Sequence, residues 1–173
     1  MLKILKQVDD FELLKKEILE LVDRVGFQGP YKNQIICQSL TEGVEDWETG
    51  IGSIEELEVR QEQEYKYLQP SLTGSQIENL INEFSAFRSR IMIIQPKSCY
   101  SVHSDPTPRI HIPIVSNKSC WMIWPNNQVC RRMPTGIIYL ADTTINHTFI
   151  NGGDKPRIHL VMCVDKETIY VPN

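Results

Sequence analysis

Two nearly identical pentapeptides, Pro108-Arg109-Ile110-His111-Ile112 and Pro156-Arg157-Ile158-His159-Leu160, constrain the fold of this chain more than any other stretch. Each opens a run that alternates strictly, and on a strand alternation sends successive side chains to opposite faces. Arg109, His111 and Pro113 share one face, opposite Ile110, Ile112 and Ile114. Arg157, His159, Val161 and Cys163 share another, opposite Ile158, Leu160, Met162 and Val164. The aliphatic faces suit a layer of helices. In a sandwich the Arg/His faces then look inward, where an arginine is costly unless an anion meets it. An internal duplication would explain the likeness of the two runs, and two similar inward strands explain it more simply.

The runs belong to a texture of short β segments that begins at Ser89: Arg90–Gln95, Tyr100–Ser104, Arg109–Val115, Cys120–Trp124, Gln128–Arg132, Ile137–Ala141, His147–Ile150 and Arg157–Val164. Ser116-Asn117, Pro125-Asn126-Asn127, Pro134-Thr135-Gly136 and Asn151-Gly152-Gly153-Asp154 supply turn chemistry between them. So many short strands in so little chain predict an all-β sandwich or barrel. Upstream, Leu13, Leu14, Ile18, Leu21, Val22 and Val25 fall at helical spacing. They predict a helix from Asp10 to about Val25, capped by Asp9 or Asp10 and stopped by Gly26. Ile77, Leu80, Ile81 and Phe84 predict a second helix from Ser75 to about Phe84. Both are expected to pack on one sheet from outside. Gln34–Leu40 reads as a short strand. Residues 41–56, with Gly43, Gly50 and Gly52, read as an irregular loop, either a lid or a solvated connection. Residues 57–69 are polar, anchored by Tyr65, Tyr67 and Leu68.

Composition excludes several classes. An apolar share of 41% with 23% charged residues is that of a globular chain. No apolar run approaches a bilayer span, and Met1–Lys6 lacks the apolar core and cleavage site of a secretory signal, so no membrane association is expected. Residues 1–70 carry 15 acids against 8 bases, and residues 71–173 carry 7 against 10. An acidic first part and a mildly basic second argue against nucleic-acid binding. The five cysteines form no CxxC pair and are odd in number. They read as free thiols buried as small hydrophobes in a cytoplasmic protein.

Chemistry concentrates between His103 and Arg157. His103-Ser104-Asp105 has the i, i+2 spacing that sends both side chains to one side of a strand, before Pro106 and Pro108 force an extended turn. His147 follows Thr143-Thr144-Ile145-Asn146. Two histidines and a carboxylate converging on one point are the ligand set of a non-haem Fe(II) site. Arg157, ten residues beyond His147, would suit the far carboxylate of a diacid. Trp121, Trp124 and Tyr139 are expected in the core, with ligand contact the alternative for Tyr139 alone; Arg88 and Arg90, entering the first core strand, are expected in surface salt bridges, with substrate contact the alternative; Arg131-Arg132 reads as a solvated pair.

In this order the segments His103-Ser104-Asp105, Arg109–Ile114, His147–Asn151 and Arg157–Val161 resemble the catalytic core of Fe(II)/2-oxoglutarate-dependent oxygenases. Arg88–Asp165 is most similar to the aspartyl/asparaginyl β-hydroxylase-like group, which includes relatives acting on free proline. The resemblance implies a mainly β fold, a double-stranded β-helix (jelly roll), as a single domain over 1–173. Within it, residues 1–87 would be a helical and irregular support and 88–165 the catalytic core. It implies that His103, Asp105 and His147 bind Fe(II), that Arg157 and His111 bind 2-oxoglutarate, and that Arg109 contacts either co-substrate or substrate. It further implies a dioxygenase that consumes O2 and hydroxylates an amino acid, peptide or small metabolite, releasing succinate and carbon dioxide. His159 would support the site from behind or belong to the core. Some animal-type members have glycine where Asp105 stands, so this chain keeps a full triad. A non-catalytic cupin-like protein binding a metal and an anion is the alternative. A metal-dependent isomerase or hydrolase on the same scaffold has no need of Arg157.

Overall fold

The alternation of the two central runs is realised in an antiparallel sheet. The computed structural model describes residues 1–52 and 61–167. Strands β1 (Leu2–Gln7), β2 (Gln34–Ile36), β5 (Phe87–Ile94), β7 (Arg109–Val115), β10 (Ile137–Ala141) and β12 (Arg157–Cys163) form a large sheet in the order β1-β10-β7-β12-β5-β2. Strands β6 (Ser98–Cys99), β8 (Cys120–Trp124), β9 (Val129–Arg131) and β11 (Thr148–Asn151) form a smaller one in the order β6-β11-β8-β9. A two-stranded ribbon pairs β3 (Gln38–Ser39) with β4 (Tyr67–Leu68). The two pentapeptides lie antiparallel side by side, with His111 opposite Val161 and Pro113 opposite His159. The strand pattern's all-β sandwich is thus the jelly roll that the resemblance implies, and both edges of its large sheet come from the N-terminal part of the chain.

Each face of the large sheet has its own core. Helix α1 (Phe11–Val25) starts where the Asp10 carboxylate accepts the Leu13 N–H, and ends where Gly26, at φ 72°, donates its N–H to the Val22 carbonyl. Helix α2 (Gln76–Glu83) is capped in the same way by Ser75. Leu14, Ile18 and Leu21 of α1 and Ile77, Leu80 and Ile81 of α2 pack with Ile110, Ile112, Ile114, Ile158, Leu160 and Met162 in one cluster. The aliphatic faces therefore sit under the helices as the alternation requires. Ile94, Met122, Trp124, Met133, Tyr139, Ala141 and Phe149 form a second, smaller cluster where the two sheets face each other. The Arg/His faces of β7 and β12 open on that side.

Three expectations are corrected. Strand β1 went unread because it is a bulged, half-exposed edge without clean alternation, with Ile4 64% exposed and a register shift between Ile4 and Lys6; lysines on it discourage further pairing. Cys37, Cys120 and Cys163 are buried free thiols, whereas Cys99 and Cys130 are exposed, because β6 and β9 are the edges of the small sheet. Trp121 faces outward beneath the Arg132 guanidinium, at 5.5 Å, while Trp124 is fully buried and donates its Nε1–H to the Asp142 carbonyl. Residues 53–56 of the expected loop and 57–60 of the polar segment lie outside the described residues. No helix among the described residues is long and apolar enough to cross a membrane.

The helix–sheet seam makes a direct test. Ile18 is fully buried and Leu13, one face around on the same helix, is 38% exposed. Ile18→Ala should cost roughly 2–5 kcal/mol of unfolding free energy in urea titration, and Leu13→Ala less than about 1 kcal/mol. Equal costs would mean that α1 does not dock by this face.

Candidate metal centre

His103 and His147 are fastened to each other through their backbones. The His103 N–H donates to the His147 carbonyl at 3.0 Å and the His147 N–H to the His103 carbonyl at 2.8 Å, an isolated antiparallel bridge. Residues directly opposed across such a bridge project to one face, and the two ring centroids are 4.5 Å apart. The Nδ1 of His103 lies 2.8 Å from the Ser101 carbonyl, and that of His147 lies 3.0 Å from the Ile145 carbonyl. A carbonyl can only accept, so in neutral rings the proton sits on Nδ1 and the lone pair on Nε2. Both Nε2 atoms face Asp105, at 3.9 Å from Oδ1 for His103 and 3.6 Å from Oδ2 for His147.

Asp105 is held in turn by its own N–H, which donates to the Thr143 carbonyl at 2.8 Å, and by Arg109 Nη2 at 3.3 Å from Oδ1. The ligand atoms of His103, Asp105 and His147 all lie within 4.8 Å of one another. A metal with bonds of about 2.0–2.2 Å fits among them. Burial pushes His147 below the usual histidine range, which keeps it neutral, as a metal ligand must be. His103 is exposed, Asp105 half-buried and His147 buried, so the cluster forms a mouth open to solvent on one side.

Behind that mouth the inward faces of β12 and β7 present a buried guanidinium, Arg157, and a buried neutral imidazole, His111, neither bonded to an acid among the described residues. Arg157 is 2% exposed and has no carboxylate partner among the described residues. Its guanidinium lies 3.5 Å from the centre of the Phe149 ring, and its Nε and Nη2 approach the ring nitrogens of His159 at 2.7 and 2.6 Å. A neutral imidazole has one accepting nitrogen, so His159 takes only one of those donors. Burial pulls Arg157 down to about 9. Burial first, then Arg157, holds His159 well below the histidine range. His111 is also buried and kept neutral, yet neither of its ring nitrogens has a hydrogen-bond partner among the described residues. It sits beside Phe149 and His159, at 5.5 and 5.8 Å between centroids. A buried donor and acceptor left unpaired cost free energy until a ligand meets them. An uncompensated cation beside such an imidazole is a fitting seat for a carboxylate. The chain has 4 histidines, and all of them are in this region.

Arg109 is engaged differently. Its Nη2 and Nη1 donate to the two oxygens of Glu62 at 2.6 and 2.9 Å, Nη1 also reaches Thr107, and Nη2 reaches Asp105. Glu62 is 1% exposed and accepts further bonds from Arg88 Nη1 at 2.8 Å and the Thr107 hydroxyl at 2.5 Å. Burial would raise the Glu62 carboxyl, but Arg109, Thr107 and Arg88 outweigh it and hold the group at about 2. Arg88, in the left-handed region at φ 45°, also donates to the carbonyls of Gly50 and Gly52. The expected surface salt bridges of Arg88 and Arg90 are thus corrected: both side chains are buried, and Arg90 is held by the neutral Gln34. Glu62 escaped the sequence reading because the polar segment around it has no period that marks one residue as inward. Arg88 and Arg90 did carry a signal, an Arg-x-Arg at the start of an otherwise apolar strand.

Comparisons with known proteins agree with this geometry. The sequence model of the family described as aspartyl/asparaginyl beta-hydroxylase matches residues 10–167. Among solved structures, a truncated form of the viral collagen prolyl hydroxylase from Paramecium bursaria Chlorella virus-1 is 10% identical over 94% of this chain and 90% of that one, with a TM-score of 0.51, and has the same fold. The same enzyme in its 2OG complex is 10% identical over 51% of this chain and 68% of that one, with a TM-score of 0.37. A cupin domain from Bordetella pertussis Tohama I is 14% identical over 45% and 80%, with a TM-score of 0.40. No curated protein matches the chain. With nearly its whole length matched and the His-Asp-His cluster in place, this chain belongs to the aspartyl/asparaginyl β-hydroxylase family.

Proposed function

We propose that the protein is an Fe(II)- and 2-oxoglutarate-dependent dioxygenase that hydroxylates an amino acid, a peptide or a small metabolite. The observation that carries this reading is the convergence of the ligand atoms of His103, Asp105 and His147 within 4.8 Å, together with a buried arginine that has no carboxylate partner among the described residues. Three ligands on one face of a metal leave the opposite positions open, as non-haem iron oxygenases need. When bound, iron and 2-oxoglutarate supply the oxidising power for C–H hydroxylation, with succinate and carbon dioxide as co-products.

The protein's own residues do the positioning. Ser101 and Ile145 fix the tautomer and rotation of the two histidines through Nδ1. Arg109 holds one oxygen of Asp105, and Glu62, bonded to both ends of the Arg109 fork, keeps that guanidinium from being drawn fully onto the carboxylate. Arg157 would hold the far carboxylate of the diacid, and neutral His111 would donate one N–H to the same ligand. Phe149, against the face of Arg157, keeps water from that cation. Arg109 therefore serves the co-substrate or substrate through Asp105, its donors being engaged within the protein.

Anaerobic addition of Fe(II) and 2-oxoglutarate should produce a weak visible charge-transfer band. His147→Ala should abolish it. Arg157→Ala should weaken 2-oxoglutarate by about 2–5 kcal/mol, at least roughly 30-fold in Kd. Iron uptake by the native protein with no band at saturating 2-oxoglutarate would sink the oxygenase reading. Succinate release in air separates an enzyme from a binding protein. Glu62→Gln should lower Fe(II) affinity roughly 10–100-fold and cost about 3–5 kcal/mol of stability, since Arg88 and Arg109 then lose their buried counter-charge. Calorimetric metal titration and urea unfolding read the two effects separately, and Glu62→Asp should recover part of the first.

A further inference from the structure

The two sheets are covered unequally. Helices α1 and α2 pack on the outer face of the large sheet, and the cluster they complete holds no residue of the small one. Register identifies the outer face of the small sheet. Phe149 and Met122, opposed across β11 and β8, belong to the cluster between the sheets, so Thr148, Ile150, Trp121 and Ile123 point the other way. Cys99 lies opposite Ile150 and Cys130 opposite Ile123, which puts both exposed thiols on the same face. Val102 adjoins His103 and Thr148 adjoins His147, so this face borders the mouth of the metal centre.

Two properties of the face point to a partner. It is apolar: Val102 is 55% and Trp121 36% exposed, with Ile123 and Ile150 half-buried beside Trp121. Contiguous apolar surface of this kind marks interaction sites. It is also free of acids. From Pro106 to Ala141 the chain holds no Asp or Glu, and neither β6 nor β11 holds one. Arg132 lies over the Trp121 ring at 5.5 Å, and Lys118 and Arg131 stand at the borders of the face. Lys97 is paired with Asp154, but Lys118, Arg131 and Arg132 have no acidic partner among the described residues.

Cations on β9 alone would guard an edge strand. Arg132 instead lies on the indole, where stem and ring make one amphipathic anchor, and Trp and Arg are the side chains that most often dominate binding energy at interfaces. A second copy docked by the same face would set one cationic border against another, which like charges oppose. We propose that the outer face of the small sheet is a docking surface for an acidic segment of another polypeptide. An apolar side chain of that segment packs on Trp121, and its carboxylates meet Arg132, Arg131 and Lys118. The proposal is independent of the oxygenase reading, since none of these residues belongs to the metal centre or the diacid seat.

The test sets the full chain, biotinylated at its N-terminus, against a displayed library of random dodecapeptides. Enriched peptides should be net negative and carry an aromatic or large aliphatic residue. Made synthetically, they should bind in calorimetry and slow the alkylation of Cys99 and Cys130 by iodoacetamide, which locates them on this face. Trp121→Gln and Arg132→Gln should each weaken them roughly 10-fold or more. Both variants should melt within about 2 °C of the native protein, because both side chains are exposed. Arg132→Glu should reject an acidic peptide and accept the same peptide with its essential acid changed to lysine, an exchange that a merely structural role would not produce. Phosphatidylserine vesicles and a single-stranded oligonucleotide are titrated alongside, and sedimentation velocity follows self-association. The proposal is overturned if the library yields no binder, if the enriched peptides are neutral or basic, if they leave the two thiols unprotected, or if both glutamine variants bind them like the native protein. It is also overturned if the contact that depends on Trp121 and Arg132 proves to be with vesicles, the oligonucleotide or a second copy.

Discussion

The structure depends on the pairing of β7 with β12. Both strands open with basic residues on one face and carry aliphatic residues on the other, and they lie side by side at the centre of the large sheet with their inward residues in register. The pairing therefore sorts the protein into two interiors. On one side, isoleucine, leucine and methionine meet the apolar stripes of α1 and α2 in a dry core. On the other, arginine and histidine project between the sheets, where a smaller apolar cluster cannot neutralise them. A slip of one residue in either strand would exchange the two faces and put guanidinium groups under the helices. Register here is enforced by the cost of burying charge in the wrong place.

Neutralisation of that inward charge is uneven, and the unevenness gives the site its shape. Near the metal cluster the charges are closed into a network: Glu62 binds Arg88 and Arg109, and Arg109 reaches Asp105. This network also ties the segment around Glu62, and through Arg88 the carbonyls of Gly50 and Gly52, to the metal-proximal end of the sheet. Deeper in, the charges are open. Arg157 has an aromatic face and a neutral imidazole beside it, the neutral His111 has no hydrogen-bond partner among the described residues, and Arg90 has one neutral amide. Closed pairs hold their side chains in place, and open ones keep an unmet donor or charge. The division between Arg109 and Arg157, two residues in nearly the same pentapeptide, follows from whether an acid from elsewhere in the chain arrives beside them.

Much of this was legible in one dimension. The helices at 11–25 and 76–83, the strands at 109–115, 120–124 and 137–141, and the inward direction of Arg109, His111, Arg157 and His159 follow from periodicity and capping residues alone. So does the grouping of His103 with Asp105, which needs only an extended backbone. Strand β1 was not legible, because an edge strand exposed on much of its surface has no reason to alternate. Nor was Trp121, a large apolar residue that parity sends to solvent. Glu62 was hidden most completely: an acid in a polar segment reads as solvated until three partners from β5, β7 and the Thr107 turn are known.

What the sequence determined by itself was therefore the local geometry: which residues alternate, where helices start, and which types of ligand are present in which order. That information is carried by short-range sterics and by the period of the backbone, which act over a few residues. What only the tertiary structure decided was which charges find each other. His103 and His147 are joined by a backbone bridge across 44 residues of chain, and Glu62 meets Arg109 across 47. Coulombic and hydrogen-bond partners are chosen by distance in space, and the fold alone sets that distance.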